Sequence, residues 1–347
     1  MEIFPKNLGI RPRLAVELRP EGIVAARAEN AAAVITEIAA SPLDHTALAV
    51  GLRPGNLLDR NQVVTALREA LDAVGGRSGD RGRPVTLVVP DATVRVLLLD
   101  FDALPAKPVE ALAVIRFRLK KLLPFDSEHA ALSYQVMATE KNLVRVLAVA
   151  MPREILEEYE EAVTAAGYRA GAVLPSTLAT LAGVEQQVTP VLVVNAGRGG
   201  ITTAIVHGGG LLLHRFLELA DELPASFEAA SASTLSLLSA GDDQIATESA
   251  IEAHVLASAE SAMAAREVAQ AVSVAVAYYE DTLASAPEII LSAGTIKADT
   301  LRTILEENGF EGAEVREVSR PEILAAGAAT SHVSLSWLAG VRGALKS

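Results

Sequence analysis

The residues best suited to chemistry lie between Val191 and Arg215, where three apolar runs are joined by two glycine-rich turns. This spacing predicts three closely spaced β-strands. Glycine turns let backbone N–H groups approach an anion, so the segment predicts a nucleotide cleft or the remains of one. An alternative interpretation is that the glycines only serve tight turns that need positive φ. The candidate residues of the first turn are Asn195, Gly197, Gly199, Gly200 and Thr202.

Other patterns associated with catalysis are absent from the sequence. The six histidines show neither i, i+4 pairing nor HExxH spacing, so the sequence predicts no metal site. No G-x-S-x-G nucleophile elbow occurs, and the absence of cysteine excludes thiol nucleophiles and disulfides. We therefore assign no catalytic residue.

Composition narrows the class of protein further. The chain has 347 residues, of which 50% are hydrophobic, with a formal net charge of −13. That length and composition predict large folded cores. The acidic balance argues against a nucleic-acid groove and against non-specific binding to an anionic bilayer. No secretory signal and no apolar run of about 20 residues is visible, so we expect any membrane contact to go through a partner protein.

Predicted strands alternate with predicted helices along the chain. Strands are predicted at 14–18, 23–27, 34–40, 85–89 and 94–99, and a helix at 62–74. A helix at 109–122, a hairpin at 131–150 and a helix at 153–166 predict an inserted subdomain. Beyond the glycine-rich hairpins, helices are predicted at Ala225 to Ala240, 251–284 and 298–308, with a strand at 288–291. The repeated order of elements predicts two related α/β halves.

This layout resembles the actin-like ATPase superfamily, and most closely the PilM family of type IV pilus assembly proteins, to which FtsA and the cytoplasmic part of GspL are related. The strongest segments are Leu104-Pro105 with Glu110, the helix through Phe117, the turn Leu123-Pro124-Phe125, and Tyr134. The match continues through 146–153, 165–176 and 339–342, so it covers nearly the whole chain.

The resemblance implies an α/β fold made of duplicated actin-like (ribonuclease H-like) domains with an inserted α+β subdomain. The first domain is expected at 1–104, completed by 174–188 and by a C-terminal helix within 325–347. The inserted subdomain is expected at 105–173 and the second domain at 189–324.

At the nucleotide positions this chain departs from the family pattern. Glu17 stands where the resemblance implies an aspartate that serves Mg²⁺, and Arg19, Pro20 and Glu21 replace the small residues of the first phosphate loop. In the second loop Asn195 replaces the acidic residue. We therefore expect a degenerate cleft with ATP hydrolysis at most weak, and leave ATP and Mg²⁺ binding open. The implied nucleotide-binding positions are Glu17, Asn195, Gly197, Gly199, Gly200, Thr202, Ala293 and Gly294.

The resemblance further implies a cytoplasmic scaffold at the inner membrane. It would bind the cytoplasmic tail peptide of a PilN-like bitopic protein and contact other pilus assembly proteins, and self-association is left open. An apolar groove with a few polar anchors is the expected mode of capture. The candidate groove residues are Leu104, Phe117, Leu122, Phe125 and Tyr134, with Arg116 or Lys120 as the polar anchor.

Three alternatives stay open at this point. The basic residues of the helix at 109–122 could form only a solvated face. The chain could be an ATP-binding switch or ATPase of the actin and sugar-kinase superfamily, although the first phosphate loop counts against this. It could also be the cytoplasmic part of a GspL-like type II secretion protein.

Overall fold

The computed structural model describes residues 12–30, 33–75, 82–184, 189–219, 248–310, 312–325 and 333–346, without the side chains of 248–261. The helix predicted over Ala225 to Ala240 lies outside these residues, as do 185–188 and 326–332, which fall within the predicted completion of the first domain.

The first half is built on a five-stranded sheet. Its strands are short apolar segments, and most of their residues are buried because helices cover the sheet. Three antiparallel strands form one side, and two strands parallel to the innermost of them extend the sheet on the other side. In spatial order the strands are β3 (Ile35–Pro42), β2 (Gly22–Ala28), β1 (Leu14–Arg19), β4 (Pro84–Val89) and β8 (Arg169–Pro175).

The second half repeats this arrangement. An antiparallel meander again forms one side, and two parallel strands follow its innermost strand. The spatial order is β11 (Gly210–Leu217), β10 (Gly200–His207), β9 (Val191–Gly197), β12 (Ile289–Gly294) and β13 (Glu314–Glu317). The predicted duplication of α/β halves is confirmed.

Helices cover both sheets. In the first half, α1 (Arg60–Gly75) and α3 (Arg153–Ala165) bury their apolar faces in one core with β1 and β4. In the second half, α5 (Glu248–Leu283) and α6 (Ala298–Glu307) cover the other sheet. None of the helices in the described ranges combines the length and apolar character required to cross a bilayer.

A third, smaller sheet and one helix form the inserted subdomain. Its elements are β5 (Arg95–Phe101), α2 (Pro108–Leu119), β6 (Ala130–Glu140) and β7 (Leu143–Pro152). Its three strands lie in the order β5-β7-β6. β5 belongs to this sheet, because it pairs with β7 along its whole length. The elements α3 and β8 belong to the first half, because α3 packs on the first sheet and β8 pairs with β4.

The C-terminal helix α7 (Leu338–Leu345) packs against α4 (Ser176–Gly183) beneath the first sheet, in a core shared with Ala15 and Val24. Gly183 and Gly343 lie at the crossing of the two helices. A Cβ on Gly343 would collide with the carbonyl oxygen of Ala179. The two helices can approach this closely because neither has a side chain at the contact.

We expect Gly343→Ala to lower the free energy of unfolding by about 1–3 kcal/mol, although alanine is normally the better helix former, because the added methyl group overpacks the helix crossing. Chemical denaturation of the variant measures the change. Gly51→Ala is the control, since a Cβ at Gly51 meets nothing within 4 Å. Equal stability of the two variants would contradict this account of the crossing.

Candidate functional site

The carboxyl ends of the parallel strands of both halves converge on one cleft. From the first half come the turn after β1, with Arg19, Pro20 and Glu21, and the segment after β4 with Asp91. From the second half come the end of β9, with Asn195 and Gly197, and the turn into β10. The space left between them is about 30 Å³, room for about two water molecules.

The cleft is narrow because the Arg19 side chain turns into it. Only 7% of Arg19 is exposed. Its Nε donates to Glu17 Oε1 at 2.8 Å, and its Nη2 donates to Ser176 Oγ at 2.7 Å and to Asn195 Oδ1 at 2.8 Å. The guanidinium group therefore joins β1 and the start of α4 in the first half to β9 in the second.

The ion pair between Glu17 and Arg19 is buried on both sides. Burial raises the pKa of the Glu17 carboxyl, while the charge of Arg19 and a 2.7 Å hydrogen bond from Ser176 act against this rise. Burial alone would lower the pKa of Arg19, but the carboxylates of Glu17, Glu21 and Asp91 outweigh it and raise that pKa. Arg19 thus holds its proton inside the cleft, where its charge is compensated by carboxylates.

Asp91 is the centre of a second set of buried hydrogen bonds. Its carboxylate accepts from the backbone N–H and the hydroxyl of Thr177, at the first turn of α4, and from Thr202 Oγ1 at 2.8 Å. Asn195 Nδ2 donates to Thr177 Oγ1 at 2.8 Å and to Ser176 Oγ at 3.0 Å. The polar residues of both halves thereby form one connected network.

The Glu21 carboxylate accepts a hydrogen bond from a backbone N–H of the glycine-rich turn. Its Oε1 accepts from the Arg198 N–H at 2.6 Å and from Thr295 Oγ1 at 2.9 Å. A Cβ on Gly197 would lie 2.8 Å from this carboxylate oxygen and 3.2 Å from Arg19 Nη1. The missing side chain at Gly197 therefore makes room for Glu21 and Arg19.

The structure brings the predicted nucleotide-binding positions together. Glu17, Asn195 and the turn residues Gly197, Gly199, Gly200 and Thr202 lie at or beneath the cleft. Ala293 and Gly294 lie at the end of β12, where they pair with Asn195 and Ala196. Gly294 has φ 87°, and a Cβ there would collide with the carbonyl oxygen of Ala196.

Four polar residues of this site are not among the predicted positions, namely Asp91, Ser176, Thr177 and Thr295. The sequence indicates Arg19 only as a substitution in the first phosphate loop. A signal was available for Asp91 and Ser176, because each directly follows a proline at the carboxyl end of a strand, and parallel strands place such residues at one sheet edge. The inward direction of Arg19 has no sequence signal.

This donor set does not fit a nucleoside triphosphate with Mg²⁺. The first loop offers no N–H at Pro20, and the Gly-rich turn has its Arg198 amide bonded to Glu21. Glu17 faces a guanidinium group rather than open space. Across the described residues, no three histidine or acidic side chains form a group that could hold a metal ion.

The predicted peptide-binding residues fall into two groups. Leu104, Phe125 and Tyr134 are half-buried and pack on the core of the inserted subdomain beside Ile115 and Leu119. Phe117, Leu122 and Lys120 are exposed on or just after α2. Arg116 turns back, and its Nη1 donates to the backbone carbonyls of Ser127 and Ala130. The seven residues share one subdomain but differ in how exposed they are.

Comparisons with known proteins place this geometry in context. No protein-family model matches the chain, and no curated protein matches it. Among solved structures, the PilM–PilN type IV pilus biogenesis complex matches with a TM-score of 0.71 and 17% identity, over 96% of this chain and 98% of that chain. The chain has an actin-like fold. The predicted fold class and the predicted resemblance to PilM are confirmed at the level of the fold.

Two further matches are more distant. The ethanolamine utilization protein EutJ from Carboxydothermus hydrogenoformans has a TM-score of 0.48 at 12% identity, over 96% of this chain and 89% of that chain. The cytoplasmic domain of EpsL, an inner membrane component of the Vibrio cholerae type II secretion system, has a TM-score of 0.39 at 14% identity, over 66% and 75%. These two matches are too weak to bear on function.

We expect Asp91→Asn to lower the free energy of unfolding by about 1–3 kcal/mol, because the amide cannot accept all the hydrogen bonds that the buried carboxylate now accepts. Thermal and chemical unfolding measure the loss. Asp100→Asn is the matched control: its ion pair with Arg145 is exposed and should matter by less than about 1 kcal/mol. A stability of Asp91→Asn equal to that of the control would contradict the role of Asp91.

Proposed function

We propose that this chain is a scaffold of the inner-membrane assembly complex of a type IV pilus or a related secretion machine. The observation that carries the proposal is the likeness to the PilM–PilN complex over nearly the whole of both chains. In this proposal the protein acts on the cytoplasmic side and reaches the membrane through a PilN-like bitopic protein, whose cytoplasmic tail it binds. Contacts with other assembly proteins would follow from the same role.

The inserted subdomain supplies the docking surface in this proposal. Helix α2 is apolar on two opposite faces. Ala111, Ile115 and Leu119 face the core, while Val109 and Phe117 are 81% and 74% exposed on the other side. A soluble helix normally exposes one polar face, so two large apolar side chains at helical spacing support a protein contact there.

Charge around the exposed apolar face supports the same role. Arg118, Lys120 and Lys121 are exposed at the end of α2, although the whole chain carries a net charge of −13. Because Arg116 donates to the backbone carbonyls of Ser127 and Ala130, Lys120 is the better of the two predicted polar anchors. Leu122, 49% exposed, continues the apolar surface beyond the helix.

The alternative of an ATP-dependent switch is not favoured by the cleft. Arg19 is paired with the Glu17 carboxylate, and Glu21 accepts from the backbone amide of Arg198. Both side chains are hydrogen-bonded to the second half. Tail capture requires no chemistry at the cleft. We therefore retain the scaffold as the proposed function, without ATP hydrolysis.

Phe117→Ala is expected to weaken binding of a synthetic peptide of the PilN-like protein's cytoplasmic tail by about 30-fold, the effect of a central aromatic contact worth about 2 kcal/mol. Because Phe117 is exposed, the variant should have the same melting temperature as the wild-type protein. Fluorescence anisotropy with the labelled peptide measures the affinity. Val274→Ala, an exposed apolar residue of the second half, is the control.

Phe125→Ala is expected to affect both the packing of the inserted subdomain and peptide binding, unlike Phe117→Ala. Phe125 is half-buried against the core of the inserted subdomain, so its truncation should cost up to about 3 kcal/mol of stability as well as reduce binding. Full peptide affinity in both phenylalanine variants would refute the assignment of the docking surface.

A further inference from the structure

The turn between β1 and β2 connects the two halves through charged side chains of opposite sign. Arg19 and Glu21 lie two residues apart, with Pro20 between them. Each is bonded to the second half: Arg19 Nη2 to Asn195 Oδ1 at 2.8 Å, and Glu21 Oε1 to the Arg198 N–H at 2.6 Å and to Thr295 Oγ1 at 2.9 Å. The segment 19–21 thus forms hydrogen bonds to β9, to the glycine-rich turn and to the loop after β12.

The contacts of Glu21 and Arg19 are of the kinds that a bound anion and a bound cation would make in this cleft. A glycine-rich turn presents backbone N–H groups that bind anions, and here the anion is the Glu21 carboxylate. Buried carboxylates attract a cation, and here the cation is the Arg19 guanidinium, bonded to Glu17 at 2.8 Å. The planar guanidinium group satisfies acceptors in three elements at once, which an ammonium group could not do in the same geometry.

We propose that the turn at residues 19–21 is a built-in ligand that holds the two halves of the molecule closed in the absence of nucleotide. Arg19 supplies the cation and Glu21 the anion that such a cleft would otherwise take from solution. Closure is then a constant property of this chain, unlike in a protein that opens and closes with a bound ligand. The proposal is independent of the partner that docks on the inserted subdomain.

Burial explains why the turn should stay in place. Glu17 is fully buried, and its second oxygen has no hydrogen-bond donor, so the carboxylate depends on Arg19 and Ser176 at the first oxygen. The backbone of α7 lies directly against that carboxylate, because a Cβ on Gly340 would collide with Glu17. Withdrawal of Arg19 would leave a buried charge with one hydroxyl partner.

The first experiment compares the melting temperatures of the full wild-type chain and Arg19→Ala, each with and without millimolar Mg·ATP and with low-millimolar guanidinium chloride. We expect the variant to melt about 5 °C lower and to recover part of this loss in guanidinium, because the free ion can fill the vacated site. Wild type should gain nothing from either addition. Arg27→Ala, which removes an ion pair on the same sheet with Glu37, is the control and should not be rescued.

Two results would overturn the proposal. One is a clear rise of the wild-type melting temperature in Mg·ATP, which would mean that the turn gives way to nucleotide. The other is an Arg19→Ala protein as stable as wild type. Neither result depends on binding of the tail peptide, so a failure here is separate from a failure of the proposed function.

A second variant keeps the test decisive if Arg19→Ala does not fold. Glu21 is only partly buried, and Glu21→Ala removes the acceptor of the Arg198 N–H without stranding a charge. We expect hydrogen exchange of the Arg198 amide to rise tenfold or more, while exchange in the core strands stays unchanged. Glu37→Ala is the matched control. Unchanged exchange at Arg198 in Glu21→Ala would refute the anion half of the proposal.

Discussion

A buried arginine must be surrounded by acceptors, and this requirement organises the centre of the molecule. Arg19 lies where the two halves meet, so its acceptors come from both: Glu17 and Ser176 on one side and Asn195 on the other. Desolvation of an unpaired guanidinium group would cost several kcal/mol. Separation of the halves would break the hydrogen bond from Arg19 to Asn195, so this buried cation joins the first half to the second.

The network around Arg19 extends into the helices that support it. Asp91 holds the first turn of α4 by accepting from Thr177, and α4 packs against α7 through the Gly183 and Gly343 crossing. The same α7 brings Gly340 against the Glu17 carboxylate. A polar cluster, a helix start and a close helix crossing are thus physically continuous, and a change in one will be felt in the others.

The inserted subdomain has a core of its own and also packs on both halves. Its own core is built from β5, β7 and the inner face of α2, while the outer face of the same helix carries exposed apolar residues. Met137 and Leu147 of its strands pack in a second core with Leu178 of α4 and Val193 of β9. A docking role on the outer face of α2 uses none of the polar side chains of the cleft. A rigid, closed body that presents an apolar helix face at one edge is what a scaffold needs.

The sequence by itself determined the class of fold and most of its elements. Apolar runs of five to eight residues, glycine turns and helical spacing are local signals, and they placed the meander at Val191, the strand before Pro90 and the helix after Pro108. The same local chemistry predicts that Pro20 and Glu21 are unsuited to a phosphate loop. The place of β5 in the inserted sheet was less predictable, because its pairing with β7 is a contact between segments more than 40 residues apart.

Only the tertiary structure decided where the charged side chains point. Arg19 and Arg116 are both arginines beside apolar residues. Arg19 enters a buried cleft between two halves, whereas Arg116 donates to backbone carbonyls of the segment that follows α2. Asp91 gained its role from Thr177 and Thr202, which are distant in sequence. Strand and helix formation depend on neighbouring residues, whereas the partner of a buried charge depends on which distant segments the packed cores bring within hydrogen-bond distance.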